Sequence, residues 1–72
     1  MTADRLQTMV KQSPFVPFTI RMTDGRAFNI PHQDFISLSP NNPRTAIVHH
    51  KDDKGFSILD VLLMSEIEVP QR

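Results

Sequence analysis

Hydrophobic and polar residues alternate cleanly in one stretch of this chain. Phe18, Ile20 and Met22 interleave with Thr19, Arg21 and Thr23, and the alternation resumes after Asp24-Gly25 with Phe28 and Ile30. A period of two belongs to a strand with one buried face. The two halves predict a β-hairpin, and burial sets its register. A two-residue loop at Asp24-Gly25 would pair Met22 with Ala27 and Ile20 with Asn29. Phe28 and Ile30 would then lie on the face opposite Phe18 and Ile20. A three-residue loop, Thr23-Asp24-Gly25, pairs Ile20 with Phe28 and Phe18 with Ile30, so all four share one face. A one-residue slip turns a whole strand over. The three-residue loop is therefore expected, as a type I turn followed by a left-handed glycine at a G1 bulge. Asp24 and Gly25 are its structural turn residues.

Upstream the period changes. Leu6, Met9 and Val10 fall at i, i+3 and i+4, which predicts a helix over about residues 2–12 with one narrow apolar stripe. Thr2 is its candidate N-cap, Asp4 suits the first turn and Lys11 the last. Ser13-Pro14 stops it, because the residue before proline avoids the α region. So short a helix must dock onto something by its stripe. Phe15-Val16-Pro17 is an extended lead-in to the hairpin.

Downstream, strands are expected at about 17–23, 26–31, 35–39, 45–51, 56–60 and 65–69. Pro31-His32-Gln33-Asp34 is a turn, Ser39 to Pro43 a loop, and Asp52-Asp53-Lys54-Gly55 a hairpin connection. Asp60 to Leu63 forms a short helical turn. The expected fold is mainly β with one N-terminal helix: a single domain over 1–72, with five to six short strands in a strongly bent antiparallel sheet or small open barrel, the alternative being an α+β layer with the helix on a flat sheet.

Composition narrows the function classes. Eight basic and eight acidic residues balance, and the cations are scattered. Nucleic-acid binders usually carry a basic excess, because phosphate contacts supply much of their affinity. No apolar run approaches the ~20 residues of a membrane span, so no membrane partner is expected. With no cysteine there is neither a disulfide nor a thiolate metal site, and a cytoplasmic location fits. At 72 residues the core is small, which makes a protein partner or a homo-oligomer a natural way to complete it.

Two resemblances rest on particular residues. Pro14-Phe15-Val16-Pro17-Phe18, then Asp24-Gly25-Arg26-Ala27-Phe28, then His32 and a closing Ile67-Glu68, resemble a set of short bacterial proteins of unknown function along nearly the whole chain. That resemblance implies no activity. The order of helix, strand, Asp-Gly turn and Arg-x-Phe is also similar to the start of Sm-like domains, RNA-binding ring formers with an SH3-like open barrel. Here Asn29, Ile30 and Pro31 stand where such domains carry a glycine, and Lys54-Gly55 stands for their late Arg-Gly. The Sm-like resemblance implies RNA contacts from Arg21, Arg26 and Lys54.

The remaining chemistry is sparse. His32, Asp34, His49 and His50 are the only cluster that suggests metal or acid/base chemistry, and adjacent strand residues such as His49 and His50 point to opposite faces; Asp52-Asp53 is better read as an ordinary polar hairpin loop than as a weak cation site. A structural use of His32 or Asp34 within the turn competes with metal binding. No Gly-x-Ser-x-Gly elbow or phosphate-cradling glycine loop is present, so neither catalytic residues nor a cofactor are expected, and the chain is read as a non-enzyme. The dense run Ile58 to Met64 offers Leu59, Leu62, Leu63 and Met64 as interaction residues, and an edge strand at Phe56 to Leu59 or Ser65 to Val69 is a candidate to pair with a partner's strand. The leading expectation is a non-catalytic protein-interaction or self-associating module. RNA binding is the alternative and metal binding the third.

Overall fold

Ile20 lies opposite Phe28, and Phe18 opposite Ile30, in the hairpin of β1 (Phe18–Met22) and β2 (Ala27–Ile30). This is the register that places four large apolar side chains on one face. The structure, a computed structural model, describes residues 3–70. The expected N-cap Thr2 lies outside them. The Met22 N–H donates to the Arg26 carbonyl at 2.8 Å, and the Gly25 N–H to the Met22 carbonyl at 3.0 Å. The second bond closes the turn. Gly25 then adopts φ +94°, the left-handed region that L side chains rarely enter.

A Cβ at Gly25 would meet no atom within 4 Å, so a substitution there meets only backbone strain. Gly25→Ala should cost about 1 kcal/mol, the usual penalty of a non-glycine residue in this region. In a domain of this size that lowers Tm by roughly 5 °C. Thermal melts followed by circular dichroism check this. An unchanged Tm would mean that the turn does not need the left-handed residue.

The helix α1 (Ala3–Val10) ends before Ser13-Pro14 and buries Leu6 and Val10, with Met9 packed half-buried beside them. The expected apolar stripe is thus its docking face. One groove separates α1 from the C-terminal strand, and another separates it from the Ser39–Pro43 turn.

After β2 a 3-10 turn, Gln33–Phe35, leads into β3 (Ile36–Ser39). The fourth strand, β4 (Asn42–His49), begins earlier than position 45 and stops short of 51. Its extra residues sit at an irregularity. Leu38 pairs with Ala46, but the next pair is Ser39 with Asn42. Pro43 falls in the segment skipped by the pairing, where a residue without an N–H is tolerated. The fifth strand, β5 (Phe56–Asp60), pairs with β4 without interruption from Thr45–Asp60 to His49–Phe56. A 3-10 turn at Val61–Leu63 follows, then β6 (Met64–Glu68).

The strands form two antiparallel sheets, β2-β1-β6 and β3-β4-β5, not closed into a barrel. The sheets are joined at β2→β3 and at β5→β6, each time through a 3-10 turn. The core draws on both sheets and on α1: Leu6, Phe18, Ile20, Ile30, Ala46, Val48, Leu59, Val61 and Met64 are among its buried members. Ile20 sits at its centre, fully buried and flanked in its sheet by Phe28 and Ile67. No helix of the described residues is long and apolar enough to cross a membrane.

Candidate functional surface

The run from Ile58 to Met64 divides residue by residue. Leu59, Val61 and Met64 are buried, whereas Ile58, Leu62 and Leu63 are 67%, 57% and 53% exposed. The β5 alternation explains the first part: Leu59 faces inward opposite Ala46, and Ile58 faces outward opposite Ile47. The 3-10 turn explains the rest. The Asp60 carboxylate accepts the Leu62 N–H at 3.0 Å, and the turn points Leu62 and Leu63 to solvent before β6 returns Met64 to the core. Leu59 and Met64 are therefore core residues and cannot serve as contact residues. Leu62 and Leu63 remain available.

Phe56, which the sequence offers only as the start of a candidate edge strand, is 59% exposed on the same face as Ile58. The signal was there: Phe56 and Ile58 are two residues apart in a strand whose buried residue is Leu59. Ile47 completes the patch as a half-buried neighbour on β4, and the His49 ring lies 6.4 Å from that of Phe56.

These side chains stand on a free sheet edge. In antiparallel pairs, facing residues alternate between exchanging hydrogen bonds and not. The His50 N–H donates to the Gly55 carbonyl at 2.9 Å, so Gly55, Ser57 and Leu59 bond toward β4. The N–H and C=O groups of Phe56, Ile58 and Asp60 then point away from β4, toward the open edge. Edge strands in monomeric domains are normally blunted by brevity, charge, proline or bulges. The other three edges have such protection. The edge strand β2 has four residues and precedes Pro31; β3 has four, with a register shift before Pro40. The outer strand β6 carries Glu66 and Glu68 and is bulged against β1. The β5 edge has no lysine, proline or bulge, and its single charge, Asp60, lies at its end.

Asp60 is held there. Arg44 Nη2 donates to its carboxylate at 2.9 Å. That bond, and then the Leu62 N–H, hold the Asp60 pKa below the usual carboxylate value.

The two candidate RNA-contact arginines are engaged elsewhere. Arg21 spans Glu66 at 3.3 Å and Glu68 at 2.9 Å, and the bond to Glu68, then its charge, raises the guanidinium pKa. Arg26 donates to Asp24 at 2.8 Å and lies over the Phe28 ring, 5.7 Å from its centroid. The Arg26 amide hydrogen bond is the main reason that the Asp24 pKa is lowered. Lys54 lies in the β4–β5 connection, on the other sheet from both arginines.

The candidate metal ligands do not converge. Asp34, His49, His50 and Asp52 line one open cleft of about 460 Å³ with Phe35. Yet no three potential ligands among the described residues are placed to hold an ion together. His49 Nε2 lies 3.3 Å from Ser37 Oγ. His50 turns to Ser57 at 2.8 Å and to the Lys54 carbonyl at 3.4 Å. A carbonyl only accepts, so Nδ1 of His50 is the protonated nitrogen in that arrangement and Nε2 accepts from the serine. His32 Nδ1 accepts the Asp34 N–H at 3.2 Å and so caps the Gln33–Phe35 turn. This use of its lone pair is structural.

No family model, no curated protein and no solved structure matches the chain.

Proposed function

We propose that the chain is a non-catalytic protein-interaction module that works through the outward edge of β5. The observation that carries this reading is the coincidence of Phe56 and Ile58, both mostly exposed, with unpaired backbone groups on the one unblunted edge. An edge of this kind accepts a further strand, whose main-chain bonds supply affinity while side-chain contacts supply selectivity. Leu62 and Leu63 extend the apolar surface at the end where β5 turns into β6. A cytoplasmic setting, suggested by the cysteine-free sequence, goes with this role.

RNA binding has less support, because Arg21 and Arg26 are already committed to carboxylates and the chain has no net positive charge. Metal binding has less support for the reason given above.

Affinity capture from the cells that express the protein tests the proposal. Proteins retained by the wild type should be lost with Ile58→Lys, which places a charge on the edge, and kept with Arg21→Ala. Retention that survives Ile58→Lys and falls with Arg21→Ala would refute it.

A further inference from the structure

Resting on the β5-edge reading, we infer that Arg44 is a positioning residue of the docking surface: it acts through the Asp60 carboxylate to hold the turn that presents Leu62 and Leu63. The two oxygens of that carboxylate have separate partners. Oδ1 accepts the Leu62 N–H at 3.0 Å, and Oδ2 accepts a bond from Arg44 Nη2 at 2.9 Å. A carboxylate bonded at both oxygens has a fixed plane, so the guanidinium on one side sets where the other oxygen points. The β4 irregularity places Arg44 there. Thr45 pairs with Asp60 in the first β4–β5 pair, and Arg44 stands one residue before it, in the segment that the β3–β4 pairing skips.

The turn depends on this hold at one place. Val61 and Met64 are buried at its two ends. The Met64 N–H donates to the Val61 carbonyl, and the Leu63 carbonyl accepts the Thr23 N–H at 2.8 Å. The Leu62 peptide between them is fastened by Asp60. Leu62 and Leu63 are both more than half exposed, so packing of their side chains within the domain restrains them little. Side chains held in place before a partner arrives bind more tightly than mobile ones, because less ordering is left for the interface. The ion pair itself is exposed, 63% at Arg44 and 35% at Asp60. Such pairs add little to global stability, so the effect of Arg44 is local. Arg44, from β4, is the charged group that acts on the Asp60 carboxyl, and the facing Thr45 is neutral. These bonds keep Asp60 ionised below the usual carboxylate range. The hold is therefore complete at neutral pH and is lost as pH falls through that lowered value.

Amide exchange of the purified full chain, followed by NMR, tests the hold. Asp60→Ala deletes the acceptor and should speed exchange at Leu62 about tenfold, the factor that loss of an ordinary side-chain cap gives. Arg44→Ala should speed it by a similar factor, and the double variant no further, because the two residues act in series. Core amides such as that of Ile20 should keep wild-type protection. Arg44→Gln replaces Arg44→Ala if circular dichroism shows the latter unfolded. The pH at which the Leu62 amide shift follows Asp60 should rise in Arg44→Ala toward the usual carboxylate range. Leu62 exchange at the wild-type rate in Arg44→Ala, or additive effects in the double variant, would overturn the inference.

Cellular capture separates this role from the reading beneath it. Capture that is lost with Ile58→Lys and weakened by Arg44→Ala supports both. Capture that is lost with Ile58→Lys but unchanged in Arg44→Ala would overturn the docking role of Arg44 and leave the β5-edge reading standing. Capture indifferent to Ile58→Lys would remove the edge reading and that docking role with it, and Leu62 exchange would then report on the turn alone.

Discussion

Leu59→Lys unfolds the domain, while the same change one residue earlier, Ile58→Lys, leaves it folded. Both positions lie in β5, are aliphatic and read alike in an apolar run. They differ in direction: Leu59 is 2% exposed in the core, and Ile58 stands outward from the sheet. Lysine at 59 forfeits the burial of a leucine, about 1.5–3 kcal/mol. It must also desolvate an ammonium with no buried partner, an effective penalty of several kcal/mol more. No buried polar or charged side chain exists among the described residues to receive it. A single core of this size supplies only roughly 3–5 kcal/mol, so the two terms together exceed what it has. At position 58 the ammonium remains in water and the cost is small. Circular dichroism and one-dimensional proton NMR of the two variants test the contrast. A well-dispersed Leu59→Lys spectrum would mean that the β5 register is wrong by one residue.

Ile20→Ala should come close to unfolding the protein. Ile20 is fully buried and lies between Phe28 on β2 and Ile67 on β6, so one truncation opens a void beside both neighbours. Such core truncations cost about 2–5 kcal/mol, against the roughly 3–5 kcal/mol that a single core of this size supplies. The chain has no disulfide to offset the loss. Ile20→Val removes one methylene and should cost about 0.5–1.5 kcal/mol, so the series is graded. Urea denaturation gives both values. If Ile20→Ala unfolded at the same urea concentration as the wild type, the centre of the core would have to lie elsewhere.

What could be read from the residue order depended on how local the cause was. The hairpin was legible because its register follows from four side chains and a glycine within thirteen consecutive positions, 18 to 30. The short helical turn before the last strand was legible for the same reason, as Asp60 bonds a backbone amide two residues on. The start of β4 was misplaced. Ser39 to Pro43 has the composition of a loop, yet Asn42 pairs with Ser39 across a register shift that absorbs Pro43. Propensity near prolines is local, whereas the pairing is made by the neighbouring strand.

The candidate surface was only half legible. Apolar density points to Leu62 and Leu63 but not to Phe56, which enters only with the candidate edge strand Phe56 to Leu59, because density does not distinguish an inward from an outward position. Leu59 and Met64 were included for the same reason. Arg21 is a candidate RNA contact in the sequence, and its actual carboxylate partners are invisible there because they lie far along the chain, Glu68 being 47 positions away.

By itself, then, the sequence determined the local elements: a docking helix, a three-residue hairpin turn with Gly25 at its bulge, and a mainly β chain. Each rests on side-chain periodicity or on bonds between residues a few positions apart. The sequence offers Phe56 to Leu59 and Ser65 to Val69 as candidate edge strands, and both are outer strands; only the tertiary structure decided that the β5 edge lacks the usual protection, and that Phe56 and Ile58 remain in water while Leu59 does not. Those properties depend on which strands lie alongside β5, and strand neighbours are chosen by packing across the whole molecule.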